Sequence, residues 1–132
     1  MQAAILAGGK GLRLKPVTGD IPKPMIEVAG KPLLEHIIKW LRKNEVTDLV
    51  LCTGYGSNAI EEYFGDGKGY GVSIRYSVDK APLGTAGALL QAESLLEAEF
   101  FVVYGDVYSE ANLSRLLDFH KRKNAVATLA VH

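Results

Sequence analysis

Short, unbroken apolar runs alternate along this chain with stretches whose apolar residues recur at helical spacing. Residues 2–7 (QAAILA) form an apolar run that breaks into glycines, the pattern of a buried parallel strand. Residues 25–28 read as a short extended piece, and Ala29-Gly30-Lys31 as a turn. Pro32 suits the first position of a helix, and Leu33, Leu34, Ile37, Ile38 and Leu41 continue one apolar face to about Asn44. Residues 48–53 (DLVLCT) predict a second buried strand, stopped by Gly54-Tyr55-Gly56. Ser57 is placed to cap a short helix through Phe64, with Glu61 in the cap region. A glycine-rich loop over 65–71 leads into 72–77 (VSIRYS), whose alternation predicts a half-exposed or edge strand. Residues 83–87 open a helix running to about Leu96, and 100–104 (FFVVY) make a fourth strand ending at Gly105-Asp106. A helix then spans about 112–123, and 125–131 begin a fifth strand.

This alternation argues for an α/β domain: a mostly parallel sheet with helices on both faces. There is no internal repeat, low-complexity tract or linker, and 132 residues suit one domain. The chain stops at Val131-His132, inside what the pattern makes a central strand. The expectation is therefore the N-terminal part (1–132) of a larger domain, truncated, with an open sheet edge that favours self-association into a homo-oligomer.

Fifteen basic and fifteen acidic residues cancel, so no global field points to nucleic acid or an anionic membrane surface. The charge is uneven locally. Residues 8–24 hold Lys10, Arg13, Lys15 and Lys23 against Asp20 alone, which suits a small anionic ligand rather than a long polyanion. The single cysteine, Cys52, excludes an internal disulfide and a multi-cysteine metal site, and is compatible with a cytoplasmic location. No apolar run approaches the roughly 20 residues of a membrane span, so no membrane partner is expected.

The densest chemistry lies in residues 4–25, AILAGGKGLRLKPVTGDIPKPM. Gly8, Gly9 and Gly11 let backbone N–H groups approach a ligand, and the cations that follow make a polyphosphate its simplest form. A Walker A loop is absent, and a dinucleotide fingerprint built on Gly9 and Gly11 fails at Leu14. Pro22 and Pro24 stiffen the backbone around Lys23, which a casual surface turn would not need. Asp106 follows a strand end, the edge at which open α/β sheets bind ligands, and a carboxylate there can hold magnesium bridging phosphates. His120 shares the apolar stripe of Leu113, Leu116 and Leu117 and reads as packing, as do Cys52 and Trp40. His36 falls on a polar helix face, and Asp66 and Lys68 in a solvated loop.

The opening loop closely resembles the signature of the sugar-1-phosphate nucleotidylyltransferases, Gly-Gly-x-Gly-Thr-Arg-Leu-x-Pro-x-Thr followed by Pro-Lys-Pro. GYG and YFGDG within 54–67, PLGTAGAL at 82–89 and YGDV at 104–107 resemble further family segments in the same order. The resemblance implies a three-layer, Rossmann-like fold and transfer of a nucleotidyl group from a nucleoside triphosphate to a sugar 1-phosphate, with release of pyrophosphate. By position it implies that Leu6, Ala7, Gly8, Gly9 and Gly11 bind the nucleotide, the glycines holding the triphosphate and helping to seat the base. Arg13 would grip the phosphates and stabilise charge at the α-phosphorus, and Lys23 would bind near the reacting centre; these two are the catalytic candidates. Gly84 and Thr85 would meet the base and ribose, and Asp106 would hold magnesium. Leu12 stands where the family usually has Thr, removing one hydroxyl.

The chemistry explains these residue types, because one phosphate oxygen must attack another phosphate and the like charges must be neutralised and aligned. The PLGTAGAL form resembles guanylyl and uridylyl branches more than the thymidylyl one, which favours GTP with mannose 1-phosphate. The family's second metal-binding aspartate and its sugar site lie beyond this sequence. The alternative is a nucleotide-binding fragment or module that turns nothing over.

Overall fold

The computed structural model describes residues 1–9 and 19–131. Strand β1 (Gln2–Leu6) leads, with β2 (Glu27–Val28) and β3 (Lys31–Pro32) forming a small antiparallel hairpin. Helix α1 (Leu33–Lys43), β4 (Asp48–Thr53), α2 (Ser57–Phe64) and β5 (Ser73–Val78) follow. Helix α3 (Gly84–Gln91), β6 (Phe100–Tyr104) and α4 (Leu113–Lys123) complete the order. Among the described residues the main sheet is four-stranded and parallel throughout, in the order β5-β4-β1-β6.

The apolar face of α1 explains the larger core. Leu34, Ile37, Ile38 and Leu41 are fully buried against Ala3, Ile5, Leu49 and Leu51, joined by Ile60 and Phe64 of α2 and Leu113 of α4. Each such aliphatic side chain contributes about 1.5–3 kcal/mol relative to exposure. The opposite sheet face packs Val50 and Cys52 against Ala88 and Ala92, with Leu6, Leu95 and Leu96 around them. The helices therefore cover both faces, as the alternation predicted, and β5 is an edge strand with alternating burial.

Four local expectations are corrected. The fifth strand does not form: among the described residues 125–131 have no strand partner, and Val126, Leu129 and Val131 are exposed. A left-handed Asn124 turns this segment back, and Thr128 Oγ1 lies 2.9 Å from His120 Nδ1, so its polar groups meet α4 rather than a ladder. The helix expected to reach Leu96 ends at Gln91 and tightens into a 3-10 turn at Glu93–Leu95. That turn serves the buried Gln2, whose amide nitrogen donates to Leu95 O at 3.1 Å while its oxygen accepts from Glu97 N–H at 2.8 Å. Tertiary hydrogen bonding overrides helix continuation there. Ser57 makes no capping bond; left-handed Gly56 occupies the N-cap of α2. Similarly Pro32 sits one residue before α1 rather than inside it.

Among the described residues, Glu35 is the buried charge. It is 4% exposed, and its carboxylate accepts from Lys39 Nζ at 2.6 Å and Tyr63 OH at 2.9 Å, with Lys31 Nζ at 3.1 Å. It thereby ties α1 to the hairpin and to α2. The Lys39 bond above all holds its carboxyl at about 2, against the opposition of burial, and the same network pushes the Tyr63 phenol up to about 12. Because the folded-state value lies below the unfolded one, this stabilisation is present above the unfolded carboxylate range and is lost as pH falls toward 2. Glu35→Ala should cost about 1–3 kcal/mol in urea unfolding at pH 7. The deficit relative to wild type should shrink as the titration proceeds from pH 5 to pH 2.5; a constant deficit would contradict the charged network.

Candidate active site

The strand order places the site. Connections from β1 through α1 to β4, and through α2 to β5, step in one direction; the chain then returns over α3 to β6 on the other side of β1. The reversal lies between β1 and β6, and ligands bind open α/β sheets beyond the carboxyl ends at such a point. Backbone bonds continue past the strands there: Ala7 N–H donates to Cys52 O at 2.8 Å, Gly105 N–H to Leu6 O at 2.9 Å and Asp79 N–H to Thr53 O at 2.7 Å. A Cβ on Gly105 would meet Leu6 O at 3.1 Å, so a small residue lets the β6 turn lie close against β1.

These turns enclose a cleft of about 580 Å³. The floor includes Leu6, Ala7, Gly8, Gly9 and Cys52, and one side holds Lys23 and Asp106. The opposite side is built by Gly54, Asp79 and the start of α3 with Gly84 and Thr85. The expected nucleotide-binding residues Leu6, Ala7, Gly8, Gly9, Lys23, Gly84 and Thr85 thus share one hollow with Asp106. Gly11 and Arg13 lie outside the described residues. Gly84 adopts φ +69° with open space around it, so glycine is favoured there by conformation rather than crowding.

Lys23 is the first residue of a 3-10 turn, Lys23–Met25, and its Nζ lies 3.4 Å from Asp106 Oδ2. The two side chains are 27% and 36% exposed, which leaves both heads reachable from the cleft. The backbone carrying Lys23 is fixed by an unusually close contact. A Cβ on Gly56 would fall 2.1 Å from Pro22 Cγ, and Gly56 has φ +75°. Tyr55 OH also donates to Asp20 O at 3.3 Å. The Gly54-Tyr55-Gly56 turn after β4 therefore grips residues 20–22, and through them sets the position of Lys23.

Asp79, Lys80, Tyr55 and Tyr104 also line the cleft, although the sequence reading gave none of them a role. The available signal was the strand-end rule itself: in a parallel sheet, residues following β4 and β5 reach the same rim as those following β1 and β6. Burial raises the Asp79 carboxyl above its usual value. Burial first and Asp79 second push the Cys52 thiol up to about 11, so Cys52 stays protonated at neutral pH and offers no nucleophile. Among the described residues, no group of three or more His, Cys, Asp or Glu side chains could hold a metal ion alone. Asp106 fits a magnesium ion only in the manner that ion commonly accepts, one or two carboxylates with phosphate oxygens completing the shell.

An open parallel sheet with a glycine-walled cleft at its switch point defines an α/β protein whose cleft lies where such sheets bind ligands. A family model described as nucleotidyl transferase matches residues 2–132, and the chain belongs to that family. It is 42% identical over 116 residues to D-glycero-alpha-D-manno-heptose 1-phosphate guanylyltransferase of Campylobacter jejuni, covering 88% of this chain and 52% of that protein. It is 39% identical to mannose-1-phosphate guanylyltransferase of Mycobacterium tuberculosis, covering 98% of this chain and 36% of that one. Among solved structures, HddC from Yersinia pseudotuberculosis complexed with GMP-PN superposes with a TM-score of 0.82 at 33% identity, over 90% of this chain and 53% of that one. A putative glucose-1-phosphate thymidylyltransferase from Bacillus anthracis gives 0.81 at 32% identity, over 93% and 51%. The chain thus spans about half or less of the length of these relatives. No helix among the described residues is long and apolar enough to cross a membrane.

The grip on Pro22 yields a prediction. Gly56→Ala combines a left-handed backbone with a steric clash and should destabilise the fold by about 1–3 kcal/mol in denaturant unfolding. Tripolyphosphate binding should weaken as Lys23 moves; a variant that unfolds and binds like wild type would refute the coupling.

Proposed function

We propose that this chain is the nucleotide-handling part of an enzyme that transfers a nucleotidyl group from a nucleoside triphosphate to a sugar 1-phosphate, with GTP and mannose 1-phosphate or a close relative as substrates. The observation that carries the reading is the convergence of Gly8, Gly9, Lys23, Gly84, Thr85 and Asp106 on one cleft at the sheet's switch point. Guanylyltransferases among the relatives, and GMP-PN in the HddC structure, support the guanine and hexose- or heptose-phosphate preference.

On this reading the glycine turn receives the triphosphate through its backbone, and Lys23 exchanges Asp106 for phosphate oxygens. Lysine suits that exchange as a mobile point charge on a flexible stem. A sugar phosphate oxygen then attacks the α-phosphorus in line, the bond to the bridging oxygen breaks, and pyrophosphate leaves with the electron pair. Asp106 would hold magnesium together with phosphate oxygens, the ion supplying charge neutralisation across the phosphates. Arg13, outside the described residues, is assigned the α-phosphate by its place in the loop.

The chain spans about half or less of the length of its relatives, and the second reading is a nucleotide-binding fragment or module that turns nothing over. Pyrophosphate release from GTP with mannose 1-phosphate, heptose 1-phosphate or glucose 1-phosphate decides between them. Release is expected, with Lys23→Ala lowering kcat/KM by roughly 10²–10³ and Asp106→Asn by a similar factor. Chelation by EDTA should abolish release, and added magnesium should restore it. Nucleotide binding without release, unchanged in Asp106→Asn, would establish the second reading.

A further inference from the structure

Among the described residues, strand β6 pairs with β1 along one edge and with no strand along the other. The open sheet edge expected from the sequence is therefore that of β6. Gly105 N–H donates to Leu6 O, and this sets the alternation upstream. Phe101 and Val103 turn their backbone groups to β1, whereas Phe100, Val102 and Tyr104 turn theirs outward. No charge, proline or glycine interrupts Phe100–Tyr104, so this edge carries none of the usual devices against pairing.

The edge is also self-complementary. Phe100 and Tyr104 sit symmetrically about Val102, and all three project from the same sheet face, the one that α3 only partly covers. Val102 is 44% and Tyr104 51% exposed. The surface as a whole points the same way. A folded monomer of 14.3 kDa exposes about 6,800 Å². This chain exposes 8268 Å², an excess of roughly 1,500 Å² over that figure. Each partner in a stable interface buries about 800 Å², well within that excess.

We infer that two copies of this chain pair through β6, antiparallel, with a two-fold axis at Val102. In that register Val102 faces its own copy, and Phe100 faces Tyr104 of the second copy. Each of these pairs exchanges both of its outward backbone bonds, and aromatic lies opposite aromatic on the exposed face. The contact is isologous and closes on itself. It joins two four-stranded sheets into one, whose outer edges are both β5. Arg75 stands in β5, 43% exposed, and a charge on an edge strand opposes further growth. Antiparallel pairing also sends the two clefts to opposite rims, so neither obstructs the other. The inference stands apart from the nucleotide reading and does not depend on it.

Sedimentation equilibrium of the 132-residue chain across micromolar concentrations tests it, with the mass expected to rise from 14.3 kDa to twice that and no further. Val102→Lys sets two ammonium groups against each other on the axis and should raise the dimer dissociation constant at least about tenfold. Its urea midpoint at low concentration should stay close to the wild-type value, because the side chain is exposed in the single chain. Leu90→Lys, on the exposed face of α3, should leave the dimer as it is. Amide exchange of the wild-type chain, read residue by residue, supplies a second measurement that needs no variant. Phe101 and Val103 should be protected at every concentration, and Phe100, Val102 and Tyr104 only where the dimer forms. A mass that stays at 14.3 kDa overturns the inference, and outward amides protected in that monomer would show a segment of the same chain on the edge. A dimer that survives Val102→Lys, one lost instead in Leu90→Lys, or growth past the dimer overturns it equally.

Discussion

Strand β1 is hydrogen-bonded along both edges, in parallel register with β4 and β6, and Ala3, Ala4 and Ile5 are wholly buried. A central strand held this way resists sliding, because a slip by one residue would exchange the side chains it gives to the two cores, Ala3 and Ile5 on one face and Leu6 on the other. Its carboxyl end is therefore a fixed point, and the chain must leave it through Ala7, Gly8 and Gly9. The turns after β4, β5 and β6 are laced onto the same rim by Ala7–Cys52, Asp79–Thr53 and Gly105–Leu6 backbone bonds. Lysine, aspartates and glycines far apart in sequence face one hollow because the parallel ladder brings all four strand ends to one side.

This dependence explains why glycines crowd the cleft. At Gly54 and Gly105 a side chain would meet the backbone of β1 or its exit turn, with Gly8 O 3.3 Å and Leu6 O 3.1 Å from the respective Cβ positions. These residues keep neighbouring turns close. Gly56 does so against Pro22, and Gly84 instead permits a left-handed entry to α3. Rigid strands and close turns suit a site built from backbone donors, which act over short distances.

Much of this was legible in the sequence because it follows from local periodicity. The apolar stripe of α1 and the runs at β1, β4 and β6 fixed the order of elements, and the parallel alternation identified the rim that carries Asp106. What escaped was set by contacts between distant residues. Gln2 draws the 93–97 turn onto itself and ends α3 early, and no pattern near Gln91 reports that. Pro22 against Gly56 is a meeting of two loops, and Ser57 looked like a cap only because that meeting was invisible. Residues 125–131 have the composition of a strand, but strand composition yields a strand only where a neighbouring ladder accepts it. Asp79 follows β5 as Asp106 follows β6, and only the parallel order of the sheet puts both strand ends on one rim.

The Lys23–Asp106 pair gives the cleft a thermodynamic property of its own. At 3.4 Å and about a third exposed, it is worth no more than about 1 kcal/mol. Any anion that captures the ammonium releases the carboxylate, and any cation that captures the carboxylate releases the ammonium. Two oppositely charged guests therefore favour each other's entry reciprocally, with no hinge or lid involved, by at most roughly fivefold. Such linkage makes the hollow prefer a neutralised salt over either ion separately.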